Sequence, residues 1–167
     1  MFETESKADV VFEFDDGSKL MAHSQILYAR ADLLWHLVDS RSNDDEPIPI
    51  TGVDPKIFRQ LLVYVYSNQI MDLEDSLLKD TLKASDQHEC FGLKRTVEIR
   101  LTELLTPDNA IDMLILADQY HCPLLREEAM WRLLGHAKRI QKTAHRKKLK
   151  DSPALYDENG ALHGVRA

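Results

Sequence analysis

The sequence predicts an α+β protein in which short strands near the N-terminus precede a larger set of helices. Residues 10–14 show the alternation of a half-buried strand and lead into Asp16-Gly17, a strong hairpin signal. Residues 58–65 carry apolar side chains at helical spacing, and residues 82–133 contain two similar helix–turn–helix units. A chain of 167 residues is long enough to bury a core around these elements.

The first element is a hairpin. The strand over residues 10–14 is followed by a returning strand over residues 18–23. If Asp16 and Gly17 are the two loop residues of a type I′ turn, that turn fixes the cross-strand register. The predicted pairs are Phe12 with Met21, Val10 with His23 and Asp9 with Ser24.

Two short helices are predicted after the hairpin. Ser24 is placed to cap a helix over residues 25–30, and Asp32 to cap a second helix that begins at Leu33. Side-chain oxygens at these positions satisfy the free amides of a first turn.

An edge strand and an amphipathic helix come next. Residues 39–46 are polar and predict a loop, and Pro49 sits within a short apolar strand that is predicted at a sheet edge, because proline cannot donate a ladder hydrogen bond. Asp54-Pro55 predicts a helix start, and Asn68 is suited to the left-handed residue at its end. The apolar stripe of this helix is Phe58, Leu61, Leu62 and Val65.

The second half contains an internal repeat with an offset of 32 residues. Aligning residues 82–101 with 114–133 gives seven identities in twenty positions. Thr106-Pro107-Asp108 and Pro123 predict the helix starts of the second copy. Its predicted buried positions are Ala110, Met113, Leu114, Ala117, Leu125, Ala129 and Leu133. Neither pair can bury its stripe alone, so the copies are predicted to stack. Ankyrin and tetratricopeptide arrays have a similar period, but two copies are too few for either and neither copy shows their patterns.

A set of short motifs stands in a distinctive order along residues 8–135. These are Asp9-Val10, Ala22-His23, Ile26-Leu27, residues 48–55, Phe58, Leu61-Leu62 and Val65-Tyr66. The order and spacing closely resemble those of a BTB/POZ domain. The resemblance implies a small mixed sheet flanked by a cluster of short helices over residues 6–104. It also implies a helical pair over 105–137, similar to the three-box extension of cullin-binding members. Composition alone predicts a basic and then flexible tail over 138–167.

The resemblance also implies partner proteins. BTB domains pair as homodimers through the first strand and first helices, which here places the interface at Val10, Phe12, Ile26, Leu27, Leu33 and Leu34. The three-box-like pair implies binding to the N-terminal region of cullin-3, with the chain acting as substrate adaptor of a ubiquitin ligase. The hydrophobic-x-Glu motif of such adaptors is matched by Leu37-Val38-Asp39, with Asp in place of Glu, so Val38 and Asp39 are the predicted cullin contacts. The substrate protein stays unknown, and its recognition would need further sequence or a separate partner.

Two alternatives stay open at this point. The apolar residues assigned to the interface could all belong to the core of a single chain. The protein could also be a dimeric scaffold or transcription-regulator assembly module that binds no cullin. In zinc-finger-linked regulators of the family, the position of Asp9 forms a charged pocket with a basic residue at the position of Ser24. The serine found here does not reproduce that pocket.

Charge and hydropathy exclude several classes of partner. Residues 1–137 carry 13 lysines and arginines against 25 acids, a net charge of about −12, so nucleic acid is not expected as a partner. Residues 138–150 carry seven basic residues and no acid, which indicates a solvated helix face or a nuclear import signal. The longest apolar run, residues 61–66, is too short to span a membrane, and the N-terminus lacks a signal-peptide pattern. We therefore expect no membrane partner and a cytoplasmic or nuclear location, which the two cysteines fit.

No motif spacing indicates catalysis, and neither a cofactor nor an enzymatic activity is expected. The six glycines are isolated, and neither HExxH nor GxSxG occurs. His88, Cys90, His121 and Cys122 match no zinc module, and cysteines at such turns are more simply small buried hydrophobes. Asp9 could pair with His23 as an acid and base, but a structural hydrogen bond is the simpler interpretation.

Overall fold

The computed structural model describes residues 7–41, 43, 46–70 and 73–135. These residues form two compact units, the first ending at Val97 and the second beginning at Glu98. The basic run and tail predicted over 138–167 and part of the polar loop over 39–46 lie outside the described residues. Among the helices that are described, none has the length and hydropathy needed to cross a bilayer.

A three-stranded mixed sheet opens the first unit. β1 (Val10–Phe14) lies in the centre, with β2 (Lys19–Ala22) antiparallel on one side and β3 (Ile48–Ile50) parallel on the other. This arrangement confirms the predicted α+β fold with a small mixed sheet. It also confirms the edge position of β3, where Pro49 is exposed and needs no second strand partner.

The hairpin turn differs from the predicted two-residue loop. The Phe14 N–H donates to the Ser18 carbonyl at 3.0 Å and the Gly17 N–H donates to the Phe14 carbonyl at 2.8 Å, which makes residues 15–17 a three-residue loop. Gly17 has a φ of 79°, the left-handed conformation of a type I turn with a glycine bulge. One extra loop residue moves the register by one, so the predicted pairs are wrong. The observed pairs are Val10 with Ala22, Val11 with Met21, Phe12 with Leu20 and Glu13 with Lys19.

Helices α1 (Ser24–Arg30) and α2 (Asp32–Asp39) form where they are predicted, but the predicted capping is wrong. Neither helix has a side-chain cap bond at its start. Ser24 is already the first helical residue, and it donates its backbone N–H, at 2.8 Å, and its hydroxyl to the carboxylate of Asp9. The start of α1 is therefore tied to the start of β1 by a residue fifteen positions earlier.

Helix α3 (Pro55–Ser67) begins and ends as predicted. The Asp54 carboxylate accepts the Lys56 N–H at 2.7 Å, and Asn68 ends the helix with a φ of 58°. The predicted stripe of Phe58, Leu61, Leu62 and Val65 is buried. Phe12 and Phe14 of the sheet pack edge to face on Phe58, with ring centroids 4.9 and 5.4 Å apart. The core of the first unit therefore lies between the sheet and α3.

The internal repeat is reproduced in the helix boundaries. After one 3₁₀ turn (Asp75–Leu77), the helices are α4 (Leu78–Gln87), α5 (Phe91–Glu103), α6 (Ala110–Gln119) and α7 (Pro123–Gly135). The boundaries of α6 and α7 are those of α4 and α5 displaced by 32 residues. The predicted inward positions on α6 and α7 are buried.

The turn inside each copy has the same geometry. Glu89 and His121 are both left-handed, with φ of 50° and 51°. The Cys90 N–H donates to Ser85 and the Cys122 N–H to Ala117, each at 2.8 Å. Ion pairs join the two helices of each copy, Asp86 with Lys94 at 2.6 Å and Asp118 with Arg126 at 3.8 Å. The cysteines thus repeat because the turn repeats, and Cys122 is buried within it.

Candidate protein-interaction surfaces

The first two helices carry apolar side chains that their own core does not cover. Tyr28 on α1 is 67% exposed and packs edge to face on the partly exposed Trp35 of α2, with ring centroids 5.3 Å apart. Ile26 and Leu33 are also partly exposed. We call these four side chains the α1–α2 surface. A pre-formed aromatic pair at the surface is typical of an interface anchor, because its rings are already ordered before a partner binds.

The six residues predicted for a dimer interface divide into two groups. Val10, Phe12, Leu27 and Leu34 are enclosed in the core of one chain, with at most 2% of their surface exposed. Ile26 and Leu33 keep exposed area on the α1–α2 surface. The four core residues therefore have almost no surface to offer a second chain in this conformation.

Sequence reasoning missed Tyr28, the most exposed large apolar residue of the two helices. The signal was present, because Tyr28 directly follows the inward Leu27 on a short helix and so points about 100° away from it. Residue type alone gives no such distinction, since aromatic residues are common in cores and at interfaces.

A hydrogen-bonded cluster anchors α1 to α3. The Tyr66 hydroxyl accepts the His23 backbone N–H at 2.8 Å and lies 2.7 Å from His23 Nδ1. Arg30 Nη1 donates to the Tyr66 carbonyl at 3.1 Å. Together these bonds fix both ends of α1. The predicted structural hydrogen bond at His23 is therefore present, although its partner is Tyr66.

Two groups that bind the start of α1, Asp9 and Tyr66, have shifted pKa values. Burial opposes ionisation of Asp9, but the hydrogen bonds from Ser24 outweigh it and hold the pKa of that carboxyl below its usual value. Burial raises the pKa of the Tyr66 phenol, which the His23 N–H only partly offsets. At neutral pH the Asp9 carboxylate is therefore ionised and the Tyr66 phenol is neutral.

A cleft of about 320 Å³ adjoins the α1–α2 surface within the first unit. It is lined by residues 29–34, by Leu61 and Val65 of α3, and by residues 88–91 of the α4–α5 turn. Burial lowers the pKa of the His88 imidazole and raises the pKa of the Cys90 thiol, so both groups are held neutral near pH 7. Phe91, 65% exposed, forms part of the lining.

The predicted cullin motif lies at the end of α2. Val38 is buried, with 5% of its surface exposed, whereas Leu37 is partly exposed and Asp39 is exposed. The Leu37 carbonyl accepts the Ser40 hydroxyl at 3.2 Å, and the Val38 carbonyl accepts Arg41 Nε at 3.1 Å. Leu37 and Asp39 are therefore the side chains of this motif that a partner could touch.

No cluster of three or more His, Cys, Asp or Glu side chains suited to a metal ion is found within the described residues. The positions considered for zinc, His88, Cys90, His121 and Cys122, belong to the two separate repeat turns.

The family profile described as the BTB/POZ domain matches residues 1–105, more than half of the sequence. The chain belongs to the BTB/POZ family. The BTB/POZ domain is a protein-interaction fold, which agrees with the exposed apolar side chains found on α1 and α2.

Several curated relatives are similar over most of this chain. Mouse TD and POZ domain-containing protein 5 is 28% identical over 139 residues, which is 81% of this chain and 41% of the relative. From Arabidopsis thaliana, ARM repeat protein interacting with ABF2 is 28% identical over 77% of this chain and 18% of its own. BTB/POZ and MATH domain-containing protein 4 of the same plant is 26% identical over 75% of this chain and 30% of its own. The chain thus spans less than half the length of these relatives.

Among solved structures, the BTB domain of human gigaxonin is 22% identical, with a TM-score of 0.48. The match covers 56% of this chain and 76% of the gigaxonin chain. The BTB domain of zebrafish PATZ1 is 17% identical, with the same TM-score, over 57% and 76% respectively.

Proposed function

We propose that this BTB/POZ chain forms a homodimer through the α1–α2 surface and acts as a substrate adaptor that binds the N-terminal region of cullin-3. The observation that carries the proposal is the exposed Tyr28–Trp35 pair on the two helices that the family resemblance assigns to dimerisation. A symmetric dimer would bring two copies of this apolar surface together and remove both from water.

The dimer is tested by charge insertion at its proposed centre. Tyr28→Glu combined with Trp35→Glu is expected to halve the mass seen in sedimentation velocity, because burying two carboxylates is costly. Ile99→Glu is a matched control, since Ile99 is an exposed apolar residue that belongs to the second unit. A double variant that sediments like the original chain would place the dimer contact elsewhere.

Support for the cullin part of the proposal comes from the end of α2. Leu37 and Asp39 offer an apolar and an acidic group two positions apart, in the order of the hydrophobic-x-Glu motif. Val38, which was predicted to contact cullin-3 together with Asp39, is buried, so Leu37 takes its place in the proposal. Aspartate is one methylene shorter than glutamate, which leads us to expect weak binding.

Binding of the full chain to the purified cullin-3 N-terminal domain can be measured by calorimetry. Leu37→Asp and Asp39→Lys are expected to abolish binding, and Asp39→Glu to strengthen it by restoring reach. Asp80→Lys, a charge reversal at an exposed position on α4, is the control. Loss of binding in the control alone, or in all variants equally, would contradict the assignment.

The second candidate is a dimeric scaffold or transcription-regulator assembly module without cullin binding. The observation that favours this second candidate is Asp39, which stands where the motif of cullin adaptors has Glu. A dimer that shows no heat of binding to cullin-3 even as Asp39→Glu would support this candidate. In the adaptor case, substrate recognition would fall to a further region or partner, as the ARM-repeat and MATH names of two relatives suggest.

A further inference from the structure

The cleft between residues 29–34 and residues 88–91 carries chemistry that neither the proposed dimer nor the proposed adaptor role uses. Its inner wall is apolar, because Leu34, Leu61 and Val65 line it and each is at most 3% exposed. At its mouth the ring of Phe91 is 65% exposed. Its volume of about 320 Å³ is at the small end of the roughly 300–1,000 Å³ of ligand pockets, which suits one long side chain better than a drug-sized molecule.

Two carboxylates line the same cleft and have no partner of their own. Asp32 and Glu89 are exposed, and the side chain of neither is hydrogen-bonded or ion-paired to any residue that the structure describes. The lysine or arginine of the lining is Arg30, and its Nη1 is directed elsewhere, since it donates to the Tyr66 carbonyl at 3.1 Å. The cleft therefore has an excess of negative charge that a bound cation can compensate.

We propose that this cleft binds an arginine side chain presented by an extended segment of a partner protein. The methylene stem of the arginine lies against Leu61 and Val65, while its guanidinium remains at the mouth. There the guanidinium binds the carboxylates of Asp32 and Glu89 through charge-assisted hydrogen bonds. The exposed ring of Phe91 provides a face on which a planar guanidinium stacks.

The chemistry of the cleft favours arginine over other occupants. An acidic segment is repelled by the two carboxylates and by the net charge of about −12 on residues 1–137. A purely apolar side chain leaves the carboxylates without a partner. The ammonium of lysine is more strongly hydrated and lacks the planar fork that binds a carboxylate through two parallel N–H groups. Because burial lowers the pKa of the His88 imidazole, this neighbour adds no positive charge near pH 7.

Nuclear magnetic resonance of the ¹⁵N-labelled full chain tests the proposal. The probe is the acetylated and amidated peptide Gly-Ala-Leu-Arg-Ala-Gly. A matched peptide carries citrulline, the neutral isostere of arginine, at the same place. The arginine peptide should shift the amide signals of residues 29–34 and 88–91. The citrulline peptide should bind about tenfold more weakly, because it has the shape of arginine without the charge.

Variants of the cleft separate its two kinds of contact. Asp32→Asn with Glu89→Gln should weaken binding of the arginine peptide by about tenfold. Phe91→Ala should weaken it by about two- to fivefold through loss of the stacking face. Asp80→Asn with Glu127→Gln is the matched control, because these two acids are exposed and lie outside the cleft. The control removes the same two charges and should leave the affinity almost unchanged.

Four results would overturn the proposal. The first is equal binding of the two peptides. The second is a control that weakens binding as much as the Asp32 and Glu89 changes, because overall charge would then explain the binding. If Arg139→Gln with Arg146→Gln shifts the signals of residues 88–91 without any peptide, the occupant is the basic segment of the chain itself. A fall of the solution mass in Phe91→Ala would assign the cleft to a contact between copies of this chain.

Discussion

The buried carboxylate of Glu98 offers the sharpest test of how the second unit is held. Only 3% of Glu98 is exposed, and Oε1 accepts the backbone N–H of Leu124 at 2.7 Å and of Leu125 at 3.1 Å. These amides belong to the first turn of α7, where no intrahelical carbonyl is available to them. A negative charge there is also favoured by the helix dipole.

Glu98→Ala removes the carboxylate and leaves the backbone N–H groups of Leu124 and Leu125 without this acceptor. Hydrogen bonds to a charged group contribute about 1.5–3 kcal/mol, and an unsatisfied buried donor costs about 1–3 kcal/mol. The two figures describe partly the same interaction and are not added. We therefore expect the free energy of unfolding of the second unit to fall by about 2–4 kcal/mol. Glu98→Gln keeps an acceptor but not the charge, and should lose about half as much.

Hydrogen exchange read by mass spectrometry, together with urea unfolding of the full chain, measures this loss. Protection at the start of α7 should fall in Glu98→Ala, while protection in α3 should not change. Glu103→Ala is the matched control on the same helix, because Glu103 is exposed and its ion pair with Arg100, at 3.2 Å, lies at the surface. If Glu98→Ala is no less stable than Glu103→Ala, then Glu98 does not hold α7.

Three further predictions concern the first unit. The His88 pKa is lowered by burial from an ordinary 6.5, so the unfolded chain takes up a proton first and stability should decline as pH falls below about 6.5. His88→Gln should flatten that decline in thermal melts between pH 7.5 and 5. The Asp9 pKa lies below an ordinary 3.8, so its contribution is present above that pH and is lost in acid. Asp9→Asn should therefore lower the urea midpoint at pH 7 and lower it by less at pH 3. A Cβ at Gly92 would overlap the Tyr64 hydroxyl and lie 2.9 Å from Cζ, so Gly92→Ala should destabilise by about 1–3 kcal/mol in urea, although alanine is the better helix former.

Specific results would contradict the predictions for His88, Asp9 and Gly92. An unchanged pH slope in His88→Gln would assign the titration to another group. A loss in Asp9→Asn that is as large at pH 3 as at pH 7 would mean that the carboxylate charge is not what Ser24 binds. If Gly92→Ala is destabilising to the same extent when Tyr64 is replaced by leucine, the overlap with the tyrosine ring is not its cause.

Local patterns predicted much of the fold. The strand over residues 10–14, the capped start of α3 at Asp54-Pro55 and its end at Asn68 all depend on neighbours within a few positions. The repeat offset of 32 residues predicted a second helical pair, and the structure reproduces that offset at every helix boundary of the two copies.

Features set by distant or finely balanced contacts were not predicted. Asp15 could belong either to the strand or to the turn, and its inclusion in the turn moves every pair of the hairpin by one position. The predicted register placed Asp9 opposite Ser24, but no local pattern specifies the hydrogen bonds between these two residues. The bonds from Glu98 to α7 join residues 26 and 27 positions apart.

The candidate site was predicted in outline because α1 and α2 were correctly placed. Its side chains were harder to assign, since Leu27 and Tyr28 are adjacent apolar residues with opposite exposure. Val38 and Leu37 show the same difficulty at the end of α2. Only the three-dimensional packing against α3 and the sheet decides which member of each pair is left for a partner.

The solution mass of the full chain tests the central claim most directly. Light scattering coupled to size exclusion, over a concentration range reaching tens of micromolar, is expected to give twice the chain mass of 19.2 kDa. Introducing Glu at Tyr28 and Trp35 should return it to the single-chain value. A mass of 19.2 kDa for the unmodified chain across that whole range would contradict pairing through the α1–α2 surface.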